Sequence, residues 1–277
     1  MIADLHIQTK FSNGVTTLGK SYFTPPFKVA NITEDKRSEW LYLMLISSSP
    51  GVLDGDRYYL KIELSEGSSL HLHTQSYQRL FNMKEGAVQN MEVYLQKGSS
   101  FIYLPHPSVP HENSIFRSTN KFYLADDCSL TWGEILTCGR KLSPGPSGNG
   151  EVFQFSSYRT ITELFIHDKL VIKEHLFMQP SLIDPNAIGQ LEGFTHQASL
   201  IHLNGIKTDN SRQDIIYEYL SQQKEIIFGV SVTGGNGLIV RILGYKAEQL
   251  YYHLQYISGF LHPKSITQNP TLKALVV

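Results

Sequence analysis

The chain has 277 residues, which is enough to bury a sizeable core in one large domain or two small ones. Its 24 Lys and Arg residues are balanced by 25 Asp and Glu residues, so the sequence shows no excess charge for binding nucleic acid or an anionic membrane surface. The N-terminal segment has no signal-peptide pattern, and no apolar run is long enough to span a bilayer. We therefore expect a cytoplasmic protein without a nucleic-acid or membrane partner.

The composition favours β structure. The chain contains 15 Tyr and 14 Phe residues among many Ile, Val and Thr, the residue types that fit a pleated, half-buried surface. Gly and Pro recur at short intervals, and the two cysteines are too few for a disulfide framework. These features predict a chain of many short strands, arranged as a sandwich, a barrel or a helically wound stack.

The N-terminal part begins with an alternating run at 2–11, which predicts a first strand. Two prolines stiffen the aromatic segment 22–28, so we expect a packed loop or an edge there rather than a central strand. The apolar run 41–46 is typical of a short buried strand.

An acidic turn followed by two alternating runs occupies the segment 47–81. Asp54 and Asp56 lie among prolines and glycines that favour a tight turn. Apolar and polar residues then alternate over 58–64, and a second run begins at 70–74 after a Glu-Gly-Ser break. The pattern predicts a β-hairpin with the two carboxylates at its mouth.

The middle of the chain continues the β pattern. Alternation predicts strands at 89–95 and 129–138, and a further hairpin formed by 114–117 and 121–124. The segment 141–150 is rich in Gly, Pro and Ser and is interpreted as a surface loop.

The pattern changes towards the C-terminus. A helix is predicted at 183–191, although Pro185 and Gly189 weaken it. Residues 205–262 are interpreted as an α-β-β-α unit, with helical spacing at 213–223 and 247–260. The constituent segments are a helix after the possible N-cap 209–211, strands at 226–232 and 237–243 joined by the turn 233–237, and a closing helix.

Four side chains are candidates for chemistry, each with an ordinary structural alternative. Asp54 and Asp56 either cap backbone N–H groups in their turn or present carboxylates for a metal ion or a proton. His71 and His73 point to one face of a strand, where two imidazoles can begin a metal site or lie half-exposed without a ligand.

The remaining candidates are weaker. His106 and His111 flank a proline-rich loop and could meet Glu112, and Arg140 could lower the pKa of Cys138 unless that thiol is buried. Motifs of metalloproteases, nucleotide-binding loops and nucleophile elbows are absent from the sequence. The residues alone therefore do not support catalysis.

Taken together, several segments resemble the UreD/UreH urease accessory proteins. The order and spacing of these segments cover nearly the whole chain. The matching segments are 22–28, 49–57, 74–76, 111–116, 132–140 and 237–241.

The resemblance implies a mainly β fold, one domain over 1–277 in which strands wind helically like a β-helix, with two or so helices near the C-terminus. It also implies a non-enzymatic urease maturation factor, a scaffold that works with the UreF and UreG accessory proteins and delivers nickel to apo-urease. No tightly bound cofactor is implied, because nickel would be in transit. Family members are thought to carry nickel along a polar internal passage.

Onto this chain, the resemblance carries Asp56 and Glu134 as transient nickel ligands of such a passage. The neighbours it assigns to the passage are Asp54, Thr74, Gln75 and Glu112. Two rival functions stay open: a cytosolic metal-dependent hydrolase built from Asp56, His71 and His73, and an all-β module that binds a carbohydrate or a peptide.

Overall fold

The computed structural model describes residues 1–143, 150–205, 211–233 and 237–266. The elements in these ranges, in chain order, are β1 (Ile2–Ser12), β2 (Val15–Phe23), β3 (Phe27–Asn31), β4 (Trp40–Ser47), β5 (Arg57–Leu64), β6 (Ser69–Thr74), β7 (Gln78–Leu80), β8 (Ala87–Leu95), β9 (Ser100–Tyr103), β10 (Ser108–Pro110), β11 (Ile115–Leu124), β12 (Ser129–Thr137), β13 (Ser157–Ile166), β14 (Lys169–Met178), β15 (His196–Asn204), α1 (Ser211–Ser221), β16 (Ile226–Thr233), β17 (Gly237–Gly244), α2 (Ala247–Leu261) and α3 (Pro263–Ile266).

Two sheets pack face to face, and the chain winds between them. The first sheet has the strand order β14-β13-β11-β8-β5-β1-β2, and the second has the order β16-β17-β15-β12-β9-β6-β4-β3, with β7 and β10 beside it. From β4 to β13 the main strands alternate between the sheets, and those in each sheet are parallel. The predicted mainly β, helically wound stack with helices in the C-terminal part is confirmed.

Successive turns of the winding stack on each other. Gly67 and Gly98 have φ values of +69° and +68°, and Asp127 follows at +57° in the next turn. The Gly67 N–H donates to the Lys97 carbonyl at 2.9 Å, and the Gly98 N–H donates to the Asp126 carbonyl at 2.9 Å. The Glu-Gly and Lys-Gly turns at 66–67 and 97–98 therefore lie where the chain crosses from the first sheet to the second.

The hairpin predicted from 58–64 and 70–74 is therefore wrong. The two segments are β5 and β6, which lie in different sheets; β5 pairs with β1 and β8, and β6 pairs with β4 and β9. A period of two shows that a strand is half-buried, but it does not identify the neighbouring strand.

Two further predictions are corrected. The segments 114–117 and 121–124 do not form a hairpin, because both lie in the single strand β11, whose central inward positions are polar. Turns replace the helix predicted at 183–191. Pro185 and a left-handed Gly189 (φ +79°) are incompatible with a regular helix there.

The helices cover one outer face of the sandwich. Helix α2 buries Leu250, Leu254 and Ile257 against the outer face of the second sheet, where Leu200 and Val240 lie. The predicted α-β-β-α unit is present as α1-β16-β17-α2. Parts of three predicted features lie outside the described residues: the loop 141–150, the N-cap 209–211 and the turn 233–237. One domain over 1–277 stays a prediction.

Candidate functional site

The inner faces of the two sheets are apolar over most of their area but polar in one region. On β11 and β13 the inward positions at mid-strand are hydroxyl and amide side chains instead of the expected apolar ones. These buried polar residues are Ser118, Asn120, Thr160 and Thr162. Because buried polar groups cost stability unless they are hydrogen-bonded, their presence in a sandwich core calls for a function or a network.

A cavity of about 140 Å³ lies in this polar region between the sheets. Its inner wall includes Tyr58, Asn120 and Glu134, and its outer end is lined by the exposed residues Ser47 and Gln75. The cavity therefore opens to solvent at the loops that follow β4 and β6. A water needs roughly 10–15 Å³ by this measure, so the space holds several waters.

Glu134 lies at the inner end of the cavity. The carboxylate accepts a hydrogen bond from the Tyr158 hydroxyl at 3.1 Å on Oε1 and from the Thr160 hydroxyl at 3.2 Å on Oε2. This half-buried side chain lines both this cavity and a second, smaller one. Burial, reinforced by the charge of Glu174, raises the pKa of Glu134 to about 7, although the two hydroxyls oppose the shift.

A second cavity of about 20 Å³ lies on the other side of Glu134. Trp132, Glu134 and Thr160 line both cavities. Glu174 on β14 lines the second one, and its Oε2 is buried without a hydrogen-bond partner among the described residues. Glu134 thus separates two polar spaces, and a second carboxylate lies beyond it.

Glu174, which lines the second cavity, also pairs with an exposed arginine. Its Oε1 accepts hydrogen bonds from Nε and Nη2 of Arg241, both at 3.1 Å, and from the Ser199 hydroxyl at 3.3 Å. The Arg241 side chain is exposed, so the pair lies at the edge where β14 of the first sheet meets β15 and β17 of the second.

A network of donors links the polar strands to Glu134. The Ser118 hydroxyl donates to Oδ1 of Asn120 at 3.3 Å. Nδ2 of Asn120 then donates to the hydroxyl oxygens of Thr160 and Thr162, at 3.4 and 3.3 Å. Since Thr160 donates in turn to Glu134, the network holds the carboxylate in place and supplies hydroxyl oxygens along the cavity wall.

Thr74 and Gln75 lie near the open end of the larger cavity. The Thr74 hydroxyl oxygen accepts the backbone N–H of His106 at 2.9 Å and is 2.8 Å from Nδ1 of the same ring. Either Nδ1 of His106 or the Thr74 hydroxyl can be the donor of this second hydrogen bond, depending on the tautomer of the ring. Burial lowers the pKa of His106, and the ring stacks on Tyr251 with centroids 4.6 Å apart.

Asp56 lies one hydrogen bond behind the cavity wall. Its carboxylate accepts the Leu53 N–H at 2.8 Å, the Tyr58 hydroxyl at 2.7 Å and the Met1 amino group at 2.9 Å. Burial opposes ionisation, but these donors together hold the pKa of Asp56 below its usual range. Tyr58 lines the cavity and Asp56 does not, so Asp56 supports a wall residue in this structure.

Asp54 and Glu112 lie away from both cavities. Oδ1 of Asp54 accepts the N–H groups of Glu85 and Gly86, each at 2.9 Å, which joins two neighbouring turns. Glu112 is half-buried, and its N–H donates to Glu151 at 3.3 Å. Of the six predicted passage residues, the structure therefore gathers three at the cavity; these are Thr74, Gln75 and Glu134. The passage role of all six stays a prediction.

Three further candidates, Arg140, Cys138 and His111, lie outside both cavities. The Arg140 guanidinium binds Glu151, and burial raises the pKa of Cys138. His111 is buried against the Phe81 ring. The lowering of the Cys138 pKa that we expect from Arg140 is therefore not found, because burial raises that pKa instead.

His71 and His73 lie on the outer face of the second sheet, beneath α2. Their rings stack with centroids 3.9 Å apart and pack beside Tyr42, confirming that both point to one face. Asp56 belongs to the turn before β5 of the first sheet, so the three residues of the rival hydrolase site are not brought together. Over the described ranges, no group of three or more His, Cys, Asp and Glu side chains could hold a metal ion.

Sequence reasoning missed most of the cavity wall, including Tyr158, Thr160, Asn120 and Glu174. A signal was present, since polar residues in the middle of β11 and β13 occupy the alternate positions that face the core and that are expected to be apolar. Dividing β11 into two hairpin strands concealed that pattern. No comparable signal identifies Glu174, because apolar residues in β14 do not follow one face.

The chain is similar to known proteins over nearly its whole length. A family model described as "UreD urease accessory protein" matches residues 1–275. "Urease accessory protein UreD" of Flavobacterium johnsoniae is 51% identical over 252 residues, covering 91% of this chain and 89% of that protein. The protein of the same name from Acetivibrio thermocellus is 34% identical over 262 residues, covering 93% and 96%. That of Haemophilus influenzae is 34% identical over 274 residues, covering 94% and 99%. None of the helices in the described ranges has the length and hydropathy of a transmembrane segment.

Proposed function

The chain belongs to the UreD urease accessory protein family and so takes part in urease maturation, and we propose that it is the scaffold that passes nickel to apo-urease through the two cavities around Glu134. In this proposal the chain works in a cytoplasmic complex with UreF and UreG. It holds and guides the ion and catalyses no reaction of its own.

The observation that carries the proposal is the position of Glu134. A single carboxylate with hydroxyl neighbours stands between a solvent-open cavity and a second cavity that ends at another carboxylate. Nickel binds oxygen ligands less firmly than clustered imidazoles or thiolates. An ion in such a passage would be attracted enough to enter and held weakly enough to leave.

Proton exchange at Glu134 fits the same role. With a pKa of about 7, the carboxyl is near half-ionised at neutral pH, so it can be uncharged while the passage is empty. An arriving Ni²⁺ would displace the proton because a nearby positive charge favours the carboxylate. The two hydroxyls of Tyr158 and Thr160 would keep the carboxylate in position throughout.

The scaffold role is tested by co-expression. The tagged full chain is produced with the UreF, UreG and urease subunits of its own source, and the complex is isolated on a sizing column. We expect co-elution with UreF and UreG, and urease that contains nickel and is active only when this chain is present. A chain that elutes alone and whose omission leaves urease activation unchanged would refute the proposal.

A further inference from the structure

The outer face of the first sheet is not covered by helices in the described structure, and most of its charges balance across strands. Lys121 on β11 lies in register between Glu163 on β13 and Glu92 on β8. Lys173 on β14 binds Glu163 at 2.8 Å, and on β5 Lys61 binds Glu63 at 2.9 Å. Opposite charges in register stabilise a sheet, so the charges of this row are balanced within the sheet.

A second row on the same face has positive charges that are not balanced by neighbouring acids. Arg117 on β11 lies in register with Arg159 on β13 and, on the other side, with Val88 on β8, which is in register with Arg57 on β5. All three arginines, here called the arginine row, are exposed. Within the described part of the chain none of them forms an ion pair, whereas Arg140 and Arg241 each bind a glutamate.

The neighbouring positions supply little compensation. The outward residues of the next cross-strand row are neutral on β5, β8, β11 and β13, and Asp4 on β1 is the one acid of that row in the described structure. Nε of Arg159 donates to Nε2 of His175 at 3.2 Å, a contact that brings no negative charge. The carboxylate of Asp54 is used by the backbone of the adjacent turn.

The arginine row therefore costs stability in the free chain. Strands in a sheet lie about 4.8 Å apart, and like charges directly opposite each other are destabilising. Apolar side chains extend the same row at both ends: Ile2 is 67% exposed and Phe177 is 49% exposed. Arginines beside exposed aromatic and aliphatic side chains are the composition of a protein-binding surface.

From this juxtaposition, and resting on the proposed function for the choice of partners, we infer that the arginine row docks an acidic surface of another protein in the urease maturation assembly. Each guanidinium can donate two parallel hydrogen bonds to a carboxylate, and the partner's negative charge would relieve the repulsion between Arg117 and Arg159. The chain as a whole carries a net charge of −1, so the positive charge is local and suits a protein patch better than a nucleic acid.

The test is a charge reversal in the full chain, R117E together with R159E, co-expressed with UreF, UreG and the urease subunits. The matched control is K36E together with R37E, which makes the same charge change at the exposed turn before β4. We expect the first variant to weaken capture of one partner by about tenfold or more, and the control to leave it unchanged. Capture by the unchanged chain should also weaken as salt rises.

Thermal unfolding separates docking from folding. R117Q with R159Q removes the repulsion without adding acids, so we expect it to unfold at the same or a higher temperature than the unchanged chain while capturing the partner less well. Failure of the unchanged chain to capture any partner would refute the proposed function. Normal partner capture by R117E with R159E would refute the docking role of the arginine row and leave the proposed function standing. A selective loss of duplex DNA binding or of self-association in this variant would also refute that docking role.

Discussion

Glu134 on β12 and Glu174 on β14 line the same small cavity from opposite sheets, and the charge of Glu174 adds to burial in raising the pKa of Glu134 to about 7. One carboxylate is neutralised by Arg241, while the other depends on two hydroxyls. The pair therefore combines a carboxylate bound to an exposed arginine with a carboxyl group whose pKa lies near neutrality.

The raised pKa of Glu134 gives a pH-dependent cost to folding. Because the folded value lies above the unfolded one, the contribution of Glu134 to stability is fully present below pH 4.5 and is lost as the pH rises through about 7. At pH 8 we expect E134Q to unfold at a higher urea concentration than the unchanged chain, with a free energy of unfolding larger by on the order of 2 kcal/mol. At pH 5 the difference in unfolding free energy should be much smaller. Glu85→Gln, at an exposed carboxylate, serves as the control. An equal difference at both pH values would contradict the burial of Glu134.

Asp56 gives the opposite pH dependence. Replacing Asp56 by Ala leaves the Leu53 N–H and the Tyr58 hydroxyl without their buried acceptor, so we expect a loss of about 2 kcal/mol at pH 7. Since the pKa of Asp56 is lowered on folding, this loss should shrink as the pH falls below 4. Chemical unfolding measures both. The control Asp54→Ala removes an exposed acceptor and should cost less. A fully stable Asp56→Ala that nevertheless fails to activate urease would favour the predicted passage role over a supporting one.

How far the sequence predicts the fold depends on the kind of information. Alternation over 58–64 and helical spacing over 247–260 are local, and both elements form. Strand pairing is not local, because β5 and β6 follow each other in the chain but join different sheets. The winding was predicted by resemblance and not by periodicity.

For the site too, local features can be predicted from the sequence, whereas contacts between distant strands cannot. Glu134 occupies an inward position between Trp132 and Leu136, so a carboxylate at that parity is unusual in the sequence itself. Its partners come from strands far along the chain: Thr160 from β13 and Glu174 from β14. Which distant strand meets β12 across the cavity is a property of the packed sheets, so sequence patterns could not supply it.

A cluster of buried histidines fastens the C-terminal helices to the second sheet. The Thr131 hydroxyl lies 2.8 Å from Nδ1 of His202 and 2.7 Å from Nε2 of His262, and burial lowers the pKa of His262 to about 3. A lowered histidine pKa contributes stability above pH 6.5 that is lost as the pH falls. We expect His262→Gln to reduce the slope of unfolding free energy against pH, between pH 6 and 4, by about 1.4 kcal/mol per unit. An unchanged slope would show that His262 is already charged in the folded state.

Gly51 lies at the open end of the larger cavity, in close contact with the backbone. A Cβ there would be 2.4 Å from the Arg79 carbonyl oxygen and 2.8 Å from the Phe81 ring. We expect Gly51→Ala to destabilise the chain by about 1–3 kcal/mol, measured by thermal unfolding. At Gly229 on β16 a Cβ meets nothing within 4 Å, so Gly229→Ala should leave the unfolding temperature nearly unchanged. Equal effects of the two substitutions would contradict the close approach.

In the proposed function, nickel reaches urease past Glu134. We would measure the nickel content and activity of urease matured by the purified complex carrying E134Q, with Glu85→Gln as a control at an exposed carboxylate outside both cavities. The account predicts that E134Q lowers nickel transfer by about tenfold or more while the complex keeps its composition, since a neutral amide is a far poorer ligand for the ion than a carboxylate. Glu85→Gln should transfer nickel normally. Transfer by E134Q at the rate of the unchanged complex would contradict the account.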